Sequence, residues 1–177
     1  PQCADAKPEQ CGHWAATGEC RNNAAYMRLY CRRSCDLCDG SPSIVFMEES
    51  DFGRIFVVDE GSERHLRFDQ WQGDDQSTVD LADPSATPME YIRFASLLGT
   101  AFGRPSPARA LAVGLGGGGF VATAHAALPN ATVEAVDVDA TVVRVAREYF
   151  GLARLEALPS PRLRLAVDDG GAYLERQ

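Results

Sequence analysis

Residues 41–177 contain no cysteine, and the whole chain of 177 residues has only three histidines and two tryptophans. With no thiol, that stretch can form neither a cross-link nor a thiolate metal site. It must fold on an apolar core, and 45% hydrophobic residues overall are enough to build one. The sequence also lacks any run of about 18 apolar residues, which excludes a membrane-spanning helix. Cationic excess is missing as well. The net charge is -8. Residues 1–40 hold five basic and five acidic side chains, whereas residues 41–177 hold twelve against twenty. So acidic a domain cannot neutralise phosphates, which argues against a nucleic-acid partner. No leader segment is visible. The chain opens at Pro1 rather than Met, so it is not expected to be the raw start of a gene product, and a targeting segment ahead of it stays open.

What the first 40 residues do have is cysteine: Cys3, Cys11, Cys20, Cys31, Cys35 and Cys38. A segment this short buries too little apolar surface to hold itself together, and cross-links compensate by restricting the unfolded chain. Spacing alone permits 15 pairings. Cys35 and Cys38 form a C-x-x-C, the rival zinc reading, but no clean second pair completes such a site, and no metal is expected. "NNAAYMRLYCRRSC" reads as a helix running into a cysteine-rich turn.

The stretch "CADAKPEQCGHWAATGECRNNAAYMRLYCRRSCDLC", residues 3–38, resembles a ShKT domain in all six cysteines, Trp14, Gly18-Glu19-Cys20 and Tyr26-Met27. The resemblance implies the pairs Cys3–Cys38, Cys11–Cys31 and Cys20–Cys35. Channel-blocking members carry a Lys-Tyr pair; Tyr26 matches the tyrosine, but Ala25 stands at the lysine. Most such modules are attached to secreted or lumenal enzymes, so an oxidising compartment is expected, and the module is open to a protein partner. His13 and Trp14 are read as packing the small core.

After the linker "CDGSPS", "IVFMEE" (44–49), "RIFVVD" (54–59) and "RHLRF" (64–68) are β-prone runs separated by turn residues, which predicts an antiparallel meander. Residues 69–84 are polar and acidic and read as a loop. "PMEYIRFASLLGTAF" (88–102) reads as a helix with Met89, Ile92, Leu97 and Phe102 on a buried stripe widened by Tyr91 and Phe94.

A different rhythm follows. "ARALAVGLGGGGF" is a strand breaking into a glycine turn. "FVATAHAAL", "TVEAVDVD" (132–139), "ATVVRVAREYFGL", "RLRLAVDD" (162–169) and "GGAYLERQ" then alternate helix and strand, which implies a parallel sheet with right-handed crossovers. Gly114, Gly116 and Gly118 allow a sharp turn and a close ligand approach. Asp137 ends the next strand and is placed for ribose hydroxyls. Asp169 ends the third, where an adenine amino group has an acceptor. An adenosine-type cofactor is therefore expected, with dinucleotide and adenosylmethionine both open at this point.

Residues 44–177 resemble the spermidine-synthase-like branch of the Rossmann methyltransferase superfamily, in the meander, the helix, the glycine loop, "VEAVDVDATVVRVAREYF" and "SPRLRLAVDDGGAYL". The fold class is then a small disulfide-rich helical module (1–40), a meander and helix (41–105), and a partial Rossmann-like sheet in the order 3-2-1 (106–177). The resemblance implies cofactor contacts at Gly114, Gly116, Gly118, Gly119, Asp137, Asp169 and Gly170, a structural role for Asp139, and substrate-side positions at Gln76 and Tyr91. True aminopropyltransferases carry an Asp where this chain has Gly117, and Tyr-His-Glu where it has Tyr91-Ile92-Arg93. A polyamine wants carboxylates nearby. Intact S-adenosyl-L-methionine is accordingly placed ahead of decarboxylated S-adenosylmethionine, and methyl transfer ahead of aminopropyl transfer in polyamine biosynthesis. A third reading is a secreted ShKT binding protein whose Rossmann part is a relic. The acceptor, small molecule or protein, is left open, and so is a dimer. The resemblance puts the catalytic acid after a fourth parallel strand, beyond Gln177, so the chain is expected to be an inactive piece of a longer protein. Glu48, Glu49 and Asp69 are weaker candidates for a base, Arg67 and Arg93 for orienting an acidic substrate, and His65 and His125 are read as packing.

Overall fold

The computed structural model describes residues 3–38, 40–83, 89–92, 94, 109–159 and 161–176. The first module is three short helices, α1 (Pro8–Ala16), α2 (Glu19–Asn22) and α3 (Ala24–Tyr30). Disulfides join Cys3–Cys38, Cys11–Cys31 and Cys20–Cys35, the pairing that the resemblance implied. Among the described residues there, Cys11, Met27 and Cys31 are the fully buried ones, with Trp14, Tyr26 and Tyr30 packed around them. His13 is exposed. The Lys7 ammonium donates to the Tyr26 hydroxyl at 2.7 Å.

Next comes a four-stranded antiparallel meander, β1 (Ser43–Ser50), β2 (Gly53–Glu60), β3 (Glu63–Phe68) and β4 (Asp75–Asp80), in sequence order. The strand β4 corrects the expectation of a loop across 69–84. Its polar residues qualify as a strand because Ser77 and Thr78 are buried with long-range partners and Val79 enters the core. Period-2 alternation gives the meander two apolar faces. Ile55, Val57, Leu66 and Val79 pack inward. Ile44, Phe56 and Val58 pack outward against Ala25 and Leu29 of α3, with Trp71. The meander thus lies between the cysteine module and the rest. Arg28 clamps the outer joint, its guanidinium 4.3 Å from the Trp71 ring centre and bonded to the Pro42 carbonyl at 3.1 Å. Ala25, the position of the missing lysine, is part of this docking face.

Of the predicted 88–102 helix, Glu90–Ile92 and Phe94 are helical, Met89 is half-buried just ahead of them, and residues 88, 93 and 95–102, with Leu97 and Phe102, lie outside the described residues. Ile92 is buried as expected, but Tyr91 and Phe94 are 62% and 63% exposed and do not widen a buried stripe. Three parallel strands follow, β5 (Arg109–Val113), β6 (Thr132–Asp137) and β7 (Leu163–Val167), in the spatial order 3-2-1 that the sequence implied. They alternate with α4 (Gly119–Ala127), α5 (Ala140–Tyr149), the additional short α6 (Leu152–Glu156) and α7 (Gly170–Glu175). Among the described residues β5 pairs with β6 alone, and Val113 at its end is 57% exposed. One core unites the inner meander face with Val121, Val133, Val143, Phe150 and Leu152.

Candidate functional site

A cavity of about 580 Å³ opens where the carboxyl ends of β5 and β6 meet the inner side of the meander. This is the crevice that open α/β sheets offer to ligands. The glycine loop forms its floor. Gly114, Gly116 and Gly118 have φ of 87°, 55° and 76°, the left-handed region that a side chain resists. Four loop amides are engaged within the protein: Gly114 N–H donates to the Val136 carbonyl, Leu115 N–H to Asp137, Gly117 N–H to Ser77 and Gly118 N–H to the Leu115 carbonyl. Gly118 then caps α4 without a side-chain acceptor. The first turn of that helix, Gly119 to Val121, lines the cavity.

Asp137 sits at the tip of β6. One carboxylate oxygen accepts Leu115 N–H at 2.8 Å and the other accepts Asp139 N–H at 3.0 Å. Two bonds leave a carboxylate further acceptor capacity, and Asp137 lines the cavity. Asp139 is buried and caps α5 through Thr141 N–H at 2.8 Å. Asp169 caps α7, accepting Ala172 N–H at 2.8 Å. It and Gly170 stand at the tip of β7, outside the cavity lining. An ideal Cβ on Gly170 would fall 2.3 Å from Val113 Cγ1, so the missing side chain is what lets α7 approach β5.

Gln76, Ser77 and Tyr91 line the meander side. Gln76 and Ser77 are sequence neighbours, and a regular strand would send them to opposite faces. Here Leu66 pairs with Ser77 and Arg67 with Asp75, leaving Gln76 as an extra residue in a β-bulge. The bulge lets both residues line the cavity. Ser77 escaped the sequence reading; the Gln-Ser pair in an otherwise charged stretch was the signal available for it. Phe52, Phe68 and Phe120 supply apolar wall.

The weaker candidates are occupied elsewhere. Glu48 pairs with Arg144 at 2.7 Å and Glu49 with Arg54 at 2.9 Å. Asp69 accepts Arg54 N–H at 3.4 Å, and none of these three acids lines the cavity. Arg67 is held by Glu60 and Asp75, each at 2.7 Å, and its pKa is raised by those two partners against the opposing effect of burial. Arg93 is outside the described residues. His65 is buried 3.0 Å from Asp75, and His125 is buried beside Arg162. No cluster of metal-binding side chains occurs among the described residues.

Residues 2–38 match the family model of ShK domain-like sequences. The chain superposes on a probable spermidine synthase from Corynebacterium glutamicum with a TM-score of 0.59 and 21% identity, over 73% of this chain and 46% of that one. A spermidine synthase from Thermotoga maritima gives 0.56 and 19%, over 75% and 42%. The chain joins a ShK-like domain to a spermidine-synthase/methyltransferase-like α/β domain. In sequence, the chain is 28% identical to a polyamine aminopropyltransferase of Vibrio vulnificus over 139 residues, 77% of its length and 44% of the relative's. It is 42% identical to an eEF1A lysine and N-terminal methyltransferase homolog of Drosophila melanogaster over 66 residues, 37% of its length and 9% of the relative's. The chain therefore spans less than half the length of these relatives. Both reactions occur among them, and the longer matches lie with the aminopropyltransferases, the reading that the sequence had placed second. No helix among the described residues is long and apolar enough to cross a membrane. Three disulfides are consistent with an oxidising environment.

Proposed function

We propose that the α/β domain binds a sulfonium nucleoside of the adenosylmethionine class and, in the whole protein, passes an alkyl group from its sulfur to a nucleophile. The observation that carries this reading is the cavity at the strand ends with Asp137 and the glycine loop on its lining. The residues fit such a ligand. A floor without side chains at Gly114 and Gly116 admits a flat nucleoside, and Asp137 keeps acceptor capacity for two ribose hydroxyls. Asp169 and Gly170 extend the row at the next strand tip and are assigned to the base. When bound, the nucleoside supplies a carbon made electrophilic by positive sulfur. The chain's own part is to bind, to orient and, through Phe52, Phe68 and Phe120, to keep water from the reacting centre.

Aminopropyl transfer from the decarboxylated donor is supported by the length of the matches to polyamine aminopropyltransferases. Methyl transfer from intact S-adenosyl-L-methionine is favoured by one specific observation, the packing around Gly117: an ideal Cβ there would lie 2.8 Å from Ser77 Cβ and 2.9 Å from Phe150 Cδ1. The proposed setting is the secretory pathway or the exterior, where the disulfides persist.

Isothermal titration with S-adenosylhomocysteine is the direct test. Binding is expected, with Asp137→Ala weakening it by roughly tenfold or more through loss of two charge-assisted bonds. No heat from the wild-type chain, together with unchanged melting in excess nucleoside, would sink the reading.

A further inference from the structure

We propose that Ser77 is a positioning and specificity residue, which fixes the glycine loop in a shape that admits the carboxylate of an intact, amino-acid-bearing donor. This rests on the reading of the cavity as a donor nucleoside site. Ser77 is 4% exposed, and its hydroxyl accepts Gly117 N–H at 2.8 Å. It reaches the loop from β4, forty residues away in sequence. An ideal Cβ on Gly116 would fall 2.8 Å from Ser77 Oγ, and one on Gly117 would meet both Ser77 and Phe150 inside 3.0 Å. The loop therefore has no room for a side chain at 117 unless β4 or Phe150 moves. A carboxylate at that position, with the repulsion it would exert on an anionic donor, is shut out by packing rather than merely missing.

What faces the same corner is rich in hydrogen-bond donors. Accepting from Gly117 leaves the Ser77 hydroxyl one proton to give. Gln76, the extra residue of the bulge, lines the cavity beside it. The uncapped first turn of α4 also lines the cavity, and helix N-termini favour negative charge. The two carboxylates on the lining, Asp137 and Asp139, already accept backbone N–H groups of Leu115, Asp139 and Thr141. A corner with these donors and, among the described residues, no further acid suits a carboxylate. A donor lacking that carboxylate would leave the buried Ser77 proton without an acceptor, which is unfavourable.

The test compares two nucleosides by isothermal titration of the full chain: S-adenosylhomocysteine, which carries the carboxylate, and S-adenosyl-3-thiopropylamine, which lacks that group alone. The wild type is expected to prefer the first by about tenfold or more, the worth of one hydrogen bond to a charged group. In Ser77→Ala both nucleosides are expected to bind more weakly, because the loop loses its anchor at Gly117, and the preference falls to within about threefold. A purely structural role would weaken both nucleosides together and preserve their ratio, which would overturn the specificity claim. Equal wild-type affinities would overturn it without any variant, so the proposal does not depend on Ser77→Ala folding. If the wild type binds neither nucleoside, the donor-site reading falls, and this inference falls with it.

Discussion

The ShK-like module and the α/β domain reach stability by opposite means. In the module, three of the described residues are fully buried, two of them half-cystines. In the α/β domain a single apolar cluster runs from Ile55 on the meander to Leu163 on β7 without a covalent link. Cross-links act mainly on the unfolded chain, by removing conformations it would otherwise gain. Apolar burial acts on the folded chain, by removing surface from water. Redox conditions should therefore act on one half and core substitutions on the other. The two meet at the outer face of the meander, where Ile44, Phe56 and Val58 are covered by α3. There the disulfide-held part shields apolar surface of the part that has no disulfides.

Reduction gives the largest expected effect. The three pairs close segments of 15, 20 and 35 residues. A 15-residue loop is worth roughly 3 kcal/mol, more than the module's small core can replace. With tris(carboxyethyl)phosphine, hydrogen exchange at the α1–α3 amides should rise to unfolded rates, while β5, β6 and β7 stay protected. The β1 and β2 amides should show intermediate loss, because their outer face is uncovered. Continued protection of α3 in the reduced chain would show that docking alone holds the module.

Breaking the joint should cost less. Arg28 stacks on Trp71 and bonds to the Pro42 carbonyl, and burial lowers its pKa. Arg28→Ala removes a partly desolvated cation–π contact and a charged hydrogen bond, together about 2 kcal/mol. Hydrogen exchange should report this in α3 and β1 and leave the α/β core unchanged. An effect spread equally over β5–β7 would mean that the two parts unfold as one.

Some of this was legible before any coordinates, and the misses have physical causes. Helix–strand alternation after Arg109 was plain because each element buries its own periodic apolar residues. The strand β4 was hidden because its buried residues at 77 and 78 are hydroxyls, whose burial is allowed only by partners at Gly117 and His65. No local pattern reveals a partner 40 residues away. The bulge at Gln76 is equally invisible, since it comes from pairing register with β3. Ala25 and Leu29 are spaced to share a helix face, but the sequence does not name the sheet they cover. Glu48 and Glu49 looked available as bases until Arg144 and Arg54 were found beside them.

The smallest expected effect sharpens the contrast from the α/β side, where the buried imidazole of His125 lies beside a guanidinium. His125 on α4 is 7% exposed, and its pKa is lowered, first by burial and then by the nearby positive charge of Arg162. Arg162 is fixed there by the carbonyls of His125, Leu128 and Ala131 at 2.8–3.0 Å. The unfolded chain takes up this proton at its ordinary pKa, near 6.5, whereas the folded chain does so only at lower pH. The stability tied to neutral His125 is thus fully present above pH 6.5 and is lost progressively as the pH falls below it. His125→Gln should flatten that part of the profile. In a thermal melt series between pH 8 and 5, the wild type minus His125→Gln difference should shrink toward acid. The ShK-like module, whose only histidine is the exposed His13, should be indifferent in hydrogen exchange over the same range. A difference that grew toward acid would mean that protonated His125 is accommodated beside Arg162, and that burial there does not penalise the charge.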